Sequence, residues 1–438
     1  MITSLAWKNV WRNKTRSLTV IAAVTVGVFA GVFSMAAINS SIVQRIDAAV
    51  NEELSHIQVN NKEFRSSGDL LDFIGDPGAV KSRLEQTEGV TSVTGRIIVR
   101  GMASTSAGSS AVEINGIDIE KEQEMFTLSD RLIPGTGSYF TADTRLNSVF
   151  IGEKLARELN IIRYILTPEA LQKLSDEGLP ATVTEKLRDI EGERFTTEKK
   201  MSKALAGLLS PKEIRSYSLA VKEAAWSYRE GSRIILNFLD TNGNQTGAAF
   251  RISGIFRTNN DLFEALSVFV PETELRELTG LNEGQYHRII ARLSDNDLTG
   301  SVTPVIKEAL PELEVLSWKE IQTDLAMITD YINQIYGMFM VIILAALAFG
   351  IVNTMLMSVL ERTRELGMLS AIGMNRRRIF VMIMLESIFL SIVGGFAGMA
   401  ISAVVIGITG KTGINLVKYA EGMEAFGYSA NLYPTIGV

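Results

Sequence analysis

The chain has 438 residues, 46% of them apolar and 21% charged, with a formal net charge of −6, two histidines and no cysteine. Its length leaves room for about two or three domains. The lack of cysteine excludes thiol catalysis and cysteine-held metals, His56 and His287 alone cannot make a histidine-rich metal site, and no basic excess suggests nucleic acid.

At the amino terminus, residues 1–17 set Leu5, Trp7, Val10 and Trp11 among Lys8, Arg12, Lys14 and Arg16. Trp7 and Trp11 share one helical face, which predicts a helix lying in a membrane interface. Leu18 to Ile38 then contains no charge, nor does Tyr331 to Leu360, and Ile379 to Gly410 contains only Glu386. Each run exceeds the ~20 apolar residues that cross a hydrocarbon core. Transmembrane helices are therefore predicted over 18–38, 335–360 and 379–409. The first run is longer than the apolar core of a secretory signal and has no evident cleavage site, so it reads as a retained anchor. Lysine and arginine before the first span, and Arg362, Arg364, Arg376, Arg377 and Arg378 between the second and third, place both segments in the cytoplasm. Residues 39–330 then lie on the far side of the membrane.

Residues 39–55 keep helical character past the first span, with Ile42, Ile46, Ala49 and Val50 apolar. Residues 317–334 open on a Ser317-Trp318-Lys319-Glu320 capping box and carry Ile321, Leu325, Ile328, Ile332 and Ile335 at helical spacing. The two extensions predict a helical stalk. Between them, a strand–helix–strand unit at 56–99 repeats at 285–316, which predicts one membrane-proximal α+β subdomain. Residues 100–284 form a distal subdomain with strands at 111–114, 149–151, 233–239 and 248–256, the last two joined at Asn242-Gly243. Within it, 161–230 is charged and rich in helix formers, a predicted helical insertion in which Ser210-Pro211 starts one helix. Segment 410–438 follows the third span on the far side.

Small residues recur at four-residue spacing in all three spans: Gly27 and Gly31, then Ala346 and Gly350, then Gly394 and Gly398. Such rows let helices approach closely within a membrane and predict a packed bundle that pairs with a second copy. Glu386 is expected near the cytoplasmic interface, paired with a snorkelling arginine two turns away at Arg378. Gly410-Lys411-Thr412 is not a phosphate loop, because position 405 is Val where the motif needs Gly. No G-x-S-x-G accompanies the histidines, so catalysis by the large domain is not expected.

Residues 361–378 alternate charge with a Leu366, Met368, Leu369, Ile372 stripe and carry two glycines, Gly367 and Gly373. An anchor alone would not need that stripe; a lever seated in a cleft of another protein would, with Glu361, Arg362, Arg364 and Glu365 pairing across the rim. The pattern E-R-x-R-E-x-G-x-L-x-A-x-G is met at every fixed position. It resembles the coupling helix of FtsX-like ABC transporter permeases, the family holding the lipoprotein-releasing Lol-type (LolC/LolE) permeases and the MacB-type exporters. The opening Leu5-Ala-Trp-Lys-Asn-Val-Trp-Arg-Asn-Lys14 and Leu385-Glu386…Gly394-Gly395 resemble the family as well.

The resemblance implies an α-helical transmembrane bundle plus an α+β periplasmic domain of porter- and sabre-like subdomains on a helical stalk, in a bacterial inner membrane. It implies a multi-pass permease with a cytoplasmic amino terminus that is not itself an enzyme. ATP and Mg would be bound by a partner ATPase dimer, contacted through Glu361, Arg362, Arg364, Glu365, Leu366, Leu369, Ile372 and Gly373. Motion would pass to the periplasmic domain, releasing lipoproteins to a periplasmic carrier, beside a second permease copy or a related permease. The alternatives are a MacB-like exporter of peptides or small molecules and an FtsX-like regulator of cell-wall hydrolases. The family has a fourth span, so a chain ending at Val438 is expected to be a truncated one.

Overall fold

The computed structural model describes residues 2–12, 14–140, 147–176, 178–229 and 231–435; Asn13, Glu230 and Val438, named above, lie outside them. Contacts divide the chain into a helical unit (Met1–Ile46, Gln322–Glu424 and Tyr428–Val438) and a sheet unit (Asp47–Ile321 with Ala425–Gly427).

In the helical unit, helix Ile2–Arg12 precedes a helix that runs unbroken over Lys14–Ala48. The predicted first span and its stalk as far as Ala48 are thus one α-helix, because no glycine or proline interrupts residues 32–48, and the rest of the stalk widens to a π-helix over Ala49–Leu54. The second long helix covers Thr323–Glu361 and the third Arg376–Thr412, with the loop helix Thr363–Ala371 between them. Among the described residues, three helices are long and apolar enough to cross a membrane. The first packs against both of the others. Val20 and Val24 meet Met355 of the second span and Leu390 of the third in one small apolar cluster. Ser317 does not open the second long helix. Glu320 accepts from the Ser317 amide (2.9 Å) and its turn Trp318–Ile321 stops at Gln322, whose φ and ψ of −106° and 69° are not helical. Of the predicted apolar stripe past that break, Leu325 and Ile332 are buried while Ile328 and Ile335 are exposed.

The sheet unit has strands β1 Ile57–Asn61, β2 Val90–Ser104, β3 Ser109–Ile117, β4 Asn147–Gly152, β5 Ile162–Ile165, β6 Arg194–Phe195 and β7 Trp226–Tyr228. Then come β8 Arg233–Leu239, β9 Gln245–Phe256, β10 Ser267–Pro271, β11 Arg288–Leu293 and β12 Leu313–Ser317. Nine of them form one sheet, ordered β12-β1-β11-β2-β3-β10-β4-β9-β8, and β8 pairs back onto β2. The last six strands therefore close into a barrel, which leaves them no free edge. Long β2 belongs to both parts: residues 90–96 pair with β11 and 97–104 with β3, with β8 joining at 101–104. A boundary at residue 99 would cut through this strand, so the two subdomains share a backbone. Alternating residues fill the barrel: Ile234, Leu236 and Phe238 point inward from β8, against Val99, Ile114, Val149 and Ile252. Gly101 allows the closure, since a Cβ there would stand 2.5 Å from the Asn237 carbonyl.

The segment read as a helical insertion is more than helices. β6-β5-β7 make a small three-stranded sheet, and four α-helices pack on a core of their own that includes Leu166, Leu187, Met201, Leu205 and Val221. The strands here are two to four residues long, too short for a period-two pattern to show. Ser210 and Glu213 close a reciprocal capping box with Pro211 inside it at the first helical position.

Candidate functional site

At its arginine-rich end, the helical unit brings together the amino-terminal helix, the loop helix and the start of the third span. Ala6 and Val10 of the first are buried, and Trp7 meets Phe389 edge-on at 5.5 Å and Trp11 at 6.0 Å. Ser17 donates to the Val10 carbonyl and fixes the turn into the first span. Trp7 and Trp11 stay 43% and 42% exposed, the half-wet position their amphipathic rings favour.

The loop helix is shorter than the stretch 361–378. It ends at Ala371, Gly373 turns the chain at a φ of +99°, and Asn375 caps the next helix by accepting from the Arg377 amide at 3.1 Å. Arg376, Arg377 and Arg378 thus form the exposed first turn of the third long helix. There their charges oppose the helix dipole, so they do not serve that helix's own stability.

Five polar side chains lace the three helices together. Glu365 accepts from Arg12 and from Arg362 Nε (3.0 Å). Arg362 Nη1 lies 3.4 Å from Glu386 Oε2, and Asn9 donates to Glu386 Oε1 at 2.9 Å. The hydrogen bonds from Arg12 and then Arg362 hold the Glu365 carboxyl below its ordinary range. Glu386 is 2% exposed. Its arginine is Arg362, not Arg378: the loop helix folds Arg362 back over the third span, while Arg378 points into the open.

The predicted apolar stripe divides. Leu366 and Leu369 are half-buried, whereas Met368 and Ile372 are 61% and 81% exposed, beside exposed Glu361 and Arg364. The loop helix is therefore fastened on one side and bare on the other. Asn9 and Arg12 were missed as partners. Glu386 signalled that it needed a donor, but nothing local ties it to a residue 377 positions earlier.

The spans approach closely at their glycines. A Cβ on Gly27 would stand 2.4 Å from Leu347, one on Gly394 2.8 Å from Val24, and one on Gly398 2.8 Å from the Thr25 carbonyl. Gly31 lies opposite Ile343 at 3.5 Å. Gly350 has nothing within 4 Å of its Cβ position among the described residues, so it packs none of their helices. Gly410, Lys411 and Thr412 form the last turn of the third long helix, whose backbone amides are already bonded and cannot cradle a phosphate. Among the described residues no group of three or more acidic or histidine side chains is arranged to hold a metal.

Residues 337–436 match the family model described as FtsX-like permease C-terminal. The macrolide export ATP-binding/permease protein MacB of Bordetella avium is 28% identical over 165 residues, 35% of this chain and 24% of that one. The uncharacterized ABC transporter permease YknZ of Bacillus subtilis is 34% identical over 88 residues, 20% of this chain and 22% of that one. The chain thus spans about a quarter of the length of these curated relatives. Among solved structures, the extracellular domain of the noncanonic ABC-type transporter YknZ is similar at a TM-score of 0.29 and 13% identity, over 60% of this chain and 98% of that one.

Proposed function

With residues 337–436 an FtsX-like permease C-terminal domain, we propose that the chain is the permease subunit of an ATP-driven ABC complex and that its loop helix couples to a separate ATPase. One observation carries the reading. The loop helix is bound to the amino-terminal helix and the third span by Arg12, Arg362, Glu365, Glu386 and Asn9, while Met368 and Ile372 stand bare on its other side. A force applied to the bare side reaches two helices at once through that network. In this reading the network lies in the cytoplasm, a partner ATPase dimer binds ATP and Mg, and the sheet unit receives the motion outside. A second copy, or a related permease, completes the complex in the membrane.

For the cargo, lipoproteins lifted from the membrane and passed to an extracytoplasmic carrier are the first reading, which rests on the Lol-type resemblance. Export of a small molecule is the second, favoured by a relative named for macrolide export. Purification in mild detergent, with every co-purifying chain identified, tests both. An ATPase with lipoproteins or their carrier supports the first, and an ATPase with a periplasmic adaptor the second. The substitution Ile372→Asp should abolish ATPase co-purification while leaving the chain in the membrane. An ATPase retained by Ile372→Asp and by Met368→Asp would overturn the coupling role.

A further inference from the structure

The sheet of β12, β1, β11 and the first half of β2 has two unlike faces. Ile57, Val59, Ile289, Ala291 and Val315 join the apolar core with Val80, Leu84, Val302 and Ile306 of two helices. The alternate residues, Gln58 and Asn60 of β1 and Arg288 of β11, face the other way. In an antiparallel sheet with one packed face, such residues ordinarily meet water. Here Gln58 and Asn60 are each 3% exposed and line the floor of a cavity of about 300 Å3.

Charge in the cavity lining is mostly positive: Arg65, Arg100 and Arg288 line it with the carboxylate of Glu113, and Glu314 stands next to Arg65. Arg288 is fixed in the floor by Asn60 Oδ1 at 3.2 Å and Glu113 at 3.6 Å. At the mouth, Arg100 donates to the Arg65 carbonyl at 3.1 Å, and Arg65 lies 3.9 Å from Glu314. Both mouth residues are exposed. Phe64, Ile98, Leu316 and Ile321 supply an apolar wall beside the guanidinium groups. Burial, and then the charges of Arg96 and Arg65, work against the Arg288 charge, which Glu113 partly offsets. A half-buried cation of this kind is stabilised by an anion that brings its own lone pairs, and guanidinium forks suit phosphate and carboxylate oxygens.

We infer that this cavity binds an amphipathic anion, with a phosphate or carboxylate head between Arg65, Arg100 and Arg288 and an apolar segment against Phe64, Ile98 and Leu316. The site lies wholly within the sheet unit and does not depend on the coupling role of the loop helix. Its volume is at the small end of ligand pockets, enough for a headgroup and the first carbons of a chain.

Calorimetric titration of the full-length protein in nonionic detergent tests the site, with dihexanoyl phosphatidic acid, dihexanoyl phosphatidylcholine and inorganic phosphate as probes. Phosphatidic acid should bind one per chain, at least about tenfold tighter than phosphatidylcholine, and Arg65→Gln or Arg100→Gln should each weaken it about tenfold. Both residues are exposed, so folding is retained. Hydrogen exchange over residues 57–66 gives a second readout, since the probe should slow it in the native protein and not in the double variant. Equal binding of phosphatidylcholine, or unchanged binding by the double variant, overturns the site. Inorganic phosphate binding as tightly as phosphatidic acid overturns the apolar half and makes the ligand a free oxyanion.

Discussion

In the sheet unit, Arg96 and Glu122 form an ion pair whose side chains are 2% and 1% exposed, with the guanidinium 4.5 Å over the Phe126 ring. In the helical unit, the side chains of Arg12, Arg362 and Glu365 are 56%, 16% and 43% exposed, although they too form arginine–glutamate pairs. The same two residue types thus serve opposite ends. Inside, each charge has lost its water and is held by its partner and the aromatic shell; burial still keeps Glu122 above its ordinary range. At the open end, water competes for the contacts of Glu365, so its two arginine pairs position helices without locking them, and only Glu386 beneath them is sealed. A sealed pair fixes a sheet in one arrangement, and an exposed, shared network would suit the coupling role proposed for the loop helix.

Removing one member of the sealed pair should have the largest effect. Arg96→Met leaves Glu122 buried and uncompensated, which costs about 3–5 kcal/mol in chemical unfolding of the sheet unit. Arg96→Met with Glu122→Met should recover most of that loss. If the double variant is as unstable as the single one, the pair is not acting through its charge.

Glu264 is a sealed carboxylate held by a threonine instead of a guanidinium, and it sharpens the contrast. It is 2% exposed, accepts from the Thr258 amide at 2.6 Å, and burial pushes its pKa up to about 7. A raised carboxylate stabilises fully below its unfolded value of 4.5 and loses that contribution as pH rises through about 7. Glu264→Gln cannot ionise. Relative to native protein it should gain about 3 kcal/mol between pH 4.5 and pH 8. Buried His56, pushed down to about 4, destabilises in the opposite direction as pH falls from 6.5, so only the difference between the two proteins isolates Glu264. Parallel pH curves would show that Glu264 is already ionised or solvated.

The two networks differed in how far the sequence revealed them. The long uncharged runs located the three span helices, because a membrane leaves few alternatives to twenty apolar residues in a row. The Asn242-Gly243 turn and the β8 and β9 alternation were equally local signals, and both strands stand where they point. Barrel closure was not legible: it depends on β8 reaching a strand more than 130 residues earlier, at Gly101–Ser104. Nor was the break at Gln322, where an apolar stripe runs on through a discontinuity in the backbone. The loop-helix residues were visible as a motif, but their fastening was not. Arg12 reads as one more topological charge until the fold sets it beside Glu365.

Within the open network, Arg362 is the less exposed hub. Arg362→Ala removes contacts to both Glu365 and Glu386 and leaves Glu386 with Asn9 alone. The Asn9 bond, and water admitted where the arginine stood, limit the loss to about 1–2 kcal/mol, read from detergent-dependent unfolding of the helical unit. A loss as large as that for Arg96→Met would erase the distinction between sealed and open networks.

Arg12→Ala should change stability least, because its guanidinium is mostly in water and a single exposed pair is worth little. Its effect belongs to motion. Arg12 is the amino-terminal helix's ionic tie to the loop helix, through Glu365, so without it the loop helix is fastened to the third span alone. Amide exchange over Thr363–Ala371 should then quicken at unchanged unfolding midpoint, and any ATP-linked change at the amino-terminal helix should shrink. Glu365→Gln should reproduce the exchange effect from the other side of the same bond. If either variant unfolds early, the contact is structural and the network is no joint. If exchange is unaffected in both, the half-buried Leu366 and Leu369 hold the loop helix by themselves, and force on Ile372 would travel through packing rather than through charge.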